Sequence, residues 1–429
     1  MRFKQHESNA DQRVPPMTPR RASIAFVISV VYLDMLGIGL AFPVLPKLVE
    51  QFEHGNVSRA SYIVGMLAGA YALMQFLFSP ALGALSDRFG RRPVMLLGMA
   101  GMGVNYFLLA AAPTLWWFAI ARLISGATGA TFSTASAYLA DITPPEKRAA
   151  NFGLIGAAFG VGFITGPAIG GVLGAVDLHL PFLAAGCLSL VNMAFGWFIL
   201  PESLDAEHRK PFSLARANPI GALGEMGRYS SVLGLMTIYL LAMFANRVAE
   251  MTWVLFSSYR FHWGPTAIGL SMAMVGVMFI VGQGVMPRFL VPAIGERRAV
   301  VLGLAVSVVM LVLYGTVPQG WMIYPVMAFG VFGWVMAAPA LMSLMSRAVA
   351  ANEQGLLQGA LSSLMGLTSI VGPPIWTGLF GYFVSKDAPV IVPGMAFFVA
   401  AAVFAVALVL AVKWVGGEKP NIDAAAQVS

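Results

Sequence analysis

Long apolar runs, broken by short clusters of charge, proline or glycine, dominate the chain from residue 23 to residue 413. A helix that crosses a bilayer needs about 20 predominantly apolar residues. Runs of that length predict spans at 23–46, 61–86, 93–112, 115–140, 148–174 and 180–200, then at 229–257, 265–287, 298–316, 320–346, 354–382 and 393–413. The fold class expected is an all-α membrane protein of twelve transmembrane helices in two pseudo-symmetric six-helix bundles. Its parts are a disordered tail at 1–21, an N-terminal bundle at 22–200, a polar linker at 201–228, a C-terminal bundle at 229–415 and a second tail at 416–429. The halves also repeat. At a shift of 206 residues Gly153, Gly166, Pro167 and Ile169 fall on Gly359, Gly372, Pro373 and Ile375, and DRFGRRPV (87–94) has a weaker counterpart in PAIGERRAV (292–300). Internal duplication of apolar helices is a feature of secondary transporters, whose sites lie near the midplane between the repeats.

Composition agrees with this pattern. The chain is 58% hydrophobic and 10% charged, against roughly 25% charged in ordinary soluble domains. One cysteine, Cys187, and five scattered histidines exclude a disulfide framework or a cysteine-rich metal site, so no metal and no cofactor are expected. The net charge of +7 is explained by topology. With the N-terminus inside, 20 of the 26 Lys and Arg residues fall on inner loops and tails, 4 on outer loops, and Arg122 and Arg247 within spans. That asymmetry puts both termini in the cytoplasm and removes the case for nucleic acid. The opening MRFKQHESNADQRVPPMTPRR is too polar for a signal peptide. The expected location is a bacterial cytoplasmic membrane, with the protein a monomer in the lipid bilayer.

A carboxylate at the centre of a spanning helix costs on the order of 2.5 to 3.5 kcal/mol on insertion scales, so it persists where it faces protein or water and marks a functional position. Only Asp34 and Glu250 lie well within spans. Asp34 is about 11 residues into the first, on the order of 16 Å deep at 1.5 Å per residue. Glu250 sits three residues after Arg247, on the same helix face. The two form either an inert buried pair or a cavity-lining pair for which substrate or proton competes. Asp34 has no such counter-ion nearby in sequence and is the first candidate for proton coupling, with Glu250 second. The spans are rich in aromatic and methionine side chains, with 29 Phe and 25 Met in the chain, which suits a flexible site for amphipathic molecules. Arg122, Arg247, Trp253 and Trp334 are expected cavity residues. Arg122 is expected to meet a carboxylate or an anionic group, or to cap backbone.

GALSDRFGRRPVMLLG (83–98) closely resembles the signature between helices 2 and 3 of the major facilitator superfamily. Gly83 allows close helix approach, Gly90 a tight turn, and Asp87, Arg88, Arg91 and Arg92 form a charge cluster. The resemblance implies a conformational latch between the halves, with Asp141 as partner acid. GLIGAAFGVGFITGPAIGGVLG (153–174) resembles the helix 5 motif of exporters in that superfamily. Gly162, Gly166, Gly170 and Gly174 share one face, with Pro167 and Gly171 beside them, for packing, rocking or both. YLDMLGIGLAFPVLP, ARLISGATGATFSTASAYLAD, RFHWGPTAIGLS and QGALSSLMGLTSIVGP are similar to the tetracycline:proton antiporter group. Asp34 matches that group's helix 1 acid, Gln75 its helix 2 glutamine and Arg122 its helix 4 arginine. Three of the group's titratable positions are instead Asn105, Phe279 and Ser307, and the resemblance implies that Gln75 and Asn105 also belong to the substrate cavity.

The resemblance implies a proton-coupled exporter of an amphipathic small molecule, drug or tetracycline-like, working by alternating access with the proton gradient as energy source. The alternative is an importer or exporter of a metabolite on the same fold. An intramembrane enzyme is disfavoured because the chain has no HExxH or GxSxG motif. A receptor or scramblase is disfavoured by the latch motif.

Overall fold

The structure is a computed structural model and describes residues 19–129, 131–205, 207, 209, 230–350 and 353–416. The tail residues 1–18 and 417–429 and most of the linker lie outside them. Every spanning element in the described residues is a helix, as lipid demands of a backbone that cannot bond to water. The N-terminal half comprises α1 (Pro19–Ala41), α2 (Leu45–Phe52), α3 (Val57–Phe89), α4 (Arg91–Ala110), α5 (Leu115–Thr128), α6 (Thr131–Ile142), α7 (Arg148–Val176) and α8 (Leu180–Ile199). The C-terminal half comprises α9 (Ser230–Phe261), α10 (Pro265–Val285), α11 (Val291–Ile294), α12 (Glu296–Thr316), α13 (Gly320–Arg347), α14 (Gln354–Phe383) and α15 (Met395–Gly416).

Eleven helical stretches among the described residues are long and apolar enough to cross a membrane. The twelfth crossing is α5 followed by α6. It was expected to be one helix over 115–140, but the chain breaks it after Thr128. Gly129 closes α5 with a tight bond from its N–H to Gly126 O at 3.3 Å, and Gln75 Nε2 reaches across to Gly129 O at 3.1 Å. A side-chain donor thus satisfies a carbonyl that the broken helix leaves free, the condition under which irregular backbone is tolerated at membrane depth. The first span differs too. It begins at Pro19, within the segment read as tail, and turns at Phe42–Val44 before continuing as α2, because Pro43 has no N–H to continue the ladder. The α10 crossing passes through a π turn at Met286–Leu290, around Pro287, into α11.

Two helix pairs make the main joints between the halves, α3 with α14 and α7 with α10, with smaller contacts of α9 on α2 and α3. The 206-residue repeat carries α7 onto α14 and α3 onto α10 and α11, so these are one contact used twice. Both seams are made of small residues. A Cβ at Gly69 would lie 2.8 Å from Ile370 O, and one at Gly269 would lie 3.0 Å from Gly171 Cα. Lipid offers no hydrophobic drive between helices, and small residues let dispersion and polar contacts act at short range instead. Ser58 Oγ donates to Gly381 O at 2.8 Å and Thr266 Oγ1 to Gly171 O at 3.3 Å across the same seams. All of these contacts lie toward the face opposite the described ends Pro19 and Gly416.

Toward the face of the ends the halves part. A Cβ at Gly83, Gly153 or Gly156 in one half, or at Gly284 or Gly355 in the other, would meet nothing within 4 Å. The expected close helix approach at Gly83 is therefore absent in this conformation. The helices are splayed on that side and closed on the other, which leaves a cavity between the halves that opens toward the ends.

Candidate functional site

A cavity of about 950 Å³ lies between the halves. α9 supplies Asn246, Arg247, Glu250 and Trp253, α13 supplies Trp334, and α7 supplies Phe159, Gly160 and Phe163. Arg247 and Glu250 are the charged residues of its wall. One helical turn apart, they meet at 2.6 Å from Nη1 to Oε2, while Arg247 Nη2 donates to Ser369 Oγ at 2.8 Å. The guanidinium is thus held between α9 and α14, and the Glu250 side chain remains 38% exposed. Phe279 and Ser307, two of the positions where the tetracycline group has a titratable residue, also line this cavity. The substitutions leave a wall of aromatic and aliphatic groups with one ion pair.

Arg247, Trp253 and Trp334 therefore occupy the wall expected of them. Gln75, Asn105 and Arg122, expected there as well, lie elsewhere, within the N-terminal half. Gln75 is committed to the break after α5, with Tyr71 Oη 3.5 Å from its Nε2. Asn105 is fully buried within the N-terminal half, and among the described residues neither its Oδ1 nor its Nδ2 has a partner. Among the described residues Arg122 meets neither a carboxylate nor backbone. Its guanidinium stacks over the Tyr71 ring at 4.7 Å, and its Nε is buried without a partner. Sequence gives depth and helix face but not which neighbour a face meets, so the three polar residues could not be separated from cavity residues by pattern.

Asp34 belongs to this second, N-terminal polar cluster and is absent from the wall of the large cavity. It makes no hydrogen bond or ion pair among the described residues and lies within electrostatic range of Tyr71 and Tyr106. The Tyr106 ring reaches α1 at Gly37, one turn from Asp34, where a Cβ would touch its hydroxyl at 3.5 Å. α1 in turn lies directly on α7. Cβ atoms at Gly39, Gly162, Gly166 and Gly170 would each fall within 2.8 Å of an atom of the facing helix. The face of α7 that carries Gly162, Gly166 and Gly170 therefore meets α1, while Gly171 meets α10. Pro167 sits inside the helix between them.

The charge cluster forms at the face of the ends. Arg91 Nη1 lies 2.5 Å from Asp87 Oδ1 and donates to Ser86 Oγ at 2.6 Å, and Arg91 Nε lies 3.2 Å from Asp141 Oδ2. Gly90 takes a φ of +105°, a conformation in which a Cβ would be strained. Arg88 turns away, over the Phe89 ring at 5.2 Å, and Arg92 donates to Trp197 O at 2.7 Å. Glu202 was not anticipated. Its carboxylate accepts from Arg91 N at 2.8 Å and Arg92 N at 3.3 Å, capping the positive end of α4. Its only sequence signal was an acid directly after the sixth span. The C-terminal half repeats the arrangement with the signs exchanged: Gly295 has a φ of +84°, and Glu296 Oε1 accepts from Arg347 at 2.7 Å. Aligned on Gly90 and Gly295, a shift of 205, Glu296 falls on Arg91, and at 206 Arg347 falls on Asp141. In this conformation each cluster is closed within its own half.

The family model described as Major Facilitator Superfamily matches residues 27–373 and 235–428. The chain is 40% identical over 386 residues to the tetracycline resistance protein, class C, of Escherichia coli, covering 90% of this chain and 95% of that one. It is 38% identical over 367 residues to the class G protein of Vibrio anguillarum, covering 84% and 91%. Among solved structures, the bacterial homolog to the human lysosomal transporter Spinster, inward-facing and unoccupied, matches with a TM-score of 0.75 at 14% identity, over 94% of this chain and 98% of that one. The human organic anion transporter MFSD10 (TETRAN) matches with a TM-score of 0.66 at 24% identity, over 92% and 100%. The two structures share the fold, and the sequence relatives carry the kinship across nearly the whole chain. The chain belongs to the major facilitator superfamily, a membrane transporter related to the tetracycline resistance proteins.

Proposed function

We propose that this transporter is a drug exporter, which moves an amphipathic small molecule out of the cell in exchange for protons by alternating access of its two halves. The observation that carries the reading is the division of labour between two polar sites: an apolar cavity with one ion pair, and a separate acid, Asp34, with no ion-pair partner among the described residues. The cavity offers aromatic faces for the body of the substrate and Glu250 or Arg247 for a polar group. Glu250 already has a partner, so the proton falls to Asp34. Because Asp34 stands outside the cavity wall, proton and substrate do not compete for one carboxylate. Their coupling runs through α7, which touches α1 at Gly39 and the cavity at Phe159 and Phe163.

The basic inner loops put the face of the ends in the cytoplasm, so the cavity described here is open to cytoplasmic substrate. Closing that face and parting the glycine seams would expose the site to the other side. The reading is tested in everted membrane vesicles with an imposed pH gradient and tetracycline or ethidium as probe. Asp34→Asn is expected to abolish gradient-driven accumulation, with binding to the purified protein retained. Accumulation at the parental rate would overturn Asp34 as the coupling site. Arg247→Ala and Glu250→Ala are expected to change the dependence on probe concentration, and parental behaviour in both would mean an inert pair.

A further inference from the structure

Among the described residues, the cavity between the halves takes all of its wall charge from Arg247 and Glu250. Phe279 and Ser307, where the tetracycline group has titratable residues, are uncharged here and line the same wall. The charge of a substrate is therefore read by one ion pair, and the pair is lopsided. Arg247 is bound on two sides, with its Nη1 2.6 Å from Glu250 Oε2 and its Nη2 donating to Ser369 Oγ at 2.8 Å. Glu250 is bound on one. Its other oxygen, Oε1, has no partner among the described residues, and its side chain is 38% exposed against 23% for Arg247.

The tether of Arg247 is itself anchored. Ser369, on α14, donates its hydroxyl proton to Met365 O at 2.8 Å. A serine hydroxyl has one proton and two lone pairs, so with the proton committed to the helix its oxygen meets the guanidinium as an acceptor. One turn further along α14, Gly372 lies under the arginine stem, where a Cβ would touch Arg247 Cβ at 3.6 Å. Arg247 is thus laid along α14. The rest of the wall is aromatic: Phe159 and Phe163 stack on α7 with ring centroids 6.3 Å apart and planes at 7°, and Trp253 and Trp334 stand on the C-terminal side. Over its face an aromatic ring attracts a cation and repels an anion. The aromatic wall and Glu250 Oε1 therefore favour the same sign, and the group that favours the other sign is held down on a helix.

We infer that this cavity selects a cationic amphipath, held by the free Oε1 of Glu250 against the aromatic wall, and that Ser369 is a positioning residue that keeps Arg247 off that oxygen. The inference deepens the proposed function and rests on this cavity being the substrate site. Without the Ser369 tether, Arg247 is free to turn two of its donors onto the carboxylate, the bidentate geometry that a guanidinium favours. Both oxygens of Glu250 are then taken, and a cation finds no acid to meet.

The test uses tetraphenylphosphonium and tetraphenylborate, which share one body and carry opposite charge. Binding of each alone is measured by equilibrium dialysis on the purified full-length protein in lipid nanodiscs, with uptake by protein-free nanodiscs subtracted. The phosphonium is expected to bind more tightly by roughly ten-fold or more. Glu250→Gln leaves Arg247 as the charge of the wall and is expected to reverse the preference. Ser369→Ala is expected to weaken phosphonium binding several-fold with borate binding unchanged, and Ser369→Thr to restore it, whereas a merely structural serine would move both ions alike. If Glu250→Gln does not fold, Ser369→Ala carries the test. Equal binding of the two ions, no binding of the phosphonium, or a preference that survives Glu250→Gln would overturn the charge selection, and an unchanged ratio in Ser369→Ala would remove Ser369 from its role. Gradient-driven flux of tetracycline or ethidium with the two ions bound alike would refute the selection and leave the exporter standing. Selective binding without flux would do the reverse.

Discussion

The glycine seams make a quantitative prediction about the resting conformation. In Gly69→Ala the added methyl would lie 2.8 Å from Ile370 O and 3.0 Å from Pro374 Cγ, against an optimal separation of roughly 3.5–4.0 Å for carbon contacts. The obstacles are backbone and a proline ring, which cannot swing aside as a flexible chain end would. α3 and α14 must part by several tenths of an ångström, at a cost of about 1–3 kcal/mol for overpacking. The cost falls on the conformation with the seam closed and not on one with it open, so the open form gains about 5- to 150-fold. The assay uses Ser61→Cys in the Cys187→Ser background. Ser61 is fully buried and would lie 3.1 Å from a Cβ at Gly381, so a thiol there reacts with an impermeant maleimide only when the seam opens. Gly69→Ala is expected to accelerate labelling from the face opposite the chain ends. Gly83→Ala, where the methyl meets nothing within 4 Å, is expected to leave it unchanged. Equal rates in parent and folded Gly69→Ala would refute the argument that these contacts hold the outer side shut.

Four further substitutions probe the polar groups. Asn105→Leu removes two buried amide atoms without partners and is expected to raise the melting temperature, a gain of about 1–3 kcal/mol; a drop would mean that the amide is satisfied in the membrane. Gln75→Leu strips the donor from Gly129 O and is expected to cost about 1–3 kcal/mol, read as lower thermal stability and faster hydrogen exchange around residues 126–134. Glu202→Ala uncaps α4 and is expected to cost about 0.5–2 kcal/mol, with proteolysis after α8 accelerated. Asp177, in the loop between α7 and α8, accepts from the backbone N–H of His179 at 2.7 Å and lies 3.0 Å from its ring Nδ1, contacts that hold its carboxyl below the usual carboxylate range. A depressed acid contributes stability that is present above its unfolded value and lost as pH falls through its folded value. The stability difference between parent and Asp177→Asn is therefore expected to shrink as pH falls from the usual carboxylate range through the lower range in which this carboxyl takes up its proton.

Much of this molecule is legible along the chain. Length and apolarity of the runs give the crossings, because a bilayer of fixed thickness admits only helices of about 20 apolar residues. The repeat at about 206 residues gives the pairing of the halves, and Gly90 and Gly295, 205 residues apart, are turns of positive φ at corresponding places. Asp34, Glu250 and Arg247 stand out because charge in lipid is costly. What the chain order could not decide is which way each helix turns about its axis and which neighbour its polar face meets. In lipid every helix is apolar nearly all round, so no hydrophobic stripe marks the inner face. Rotation is instead decided by where glycines let backbones touch, as at Gly39 on Gly166 and Gly269 on Gly171. Those contacts put Glu250 and Arg247 on the cavity wall and drew Gln75, Arg122 and Asp34 into a separate cluster. Chain order likewise does not reveal that Glu202 sits on the end of α4, or that Trp253 and Trp263 meet edge to face.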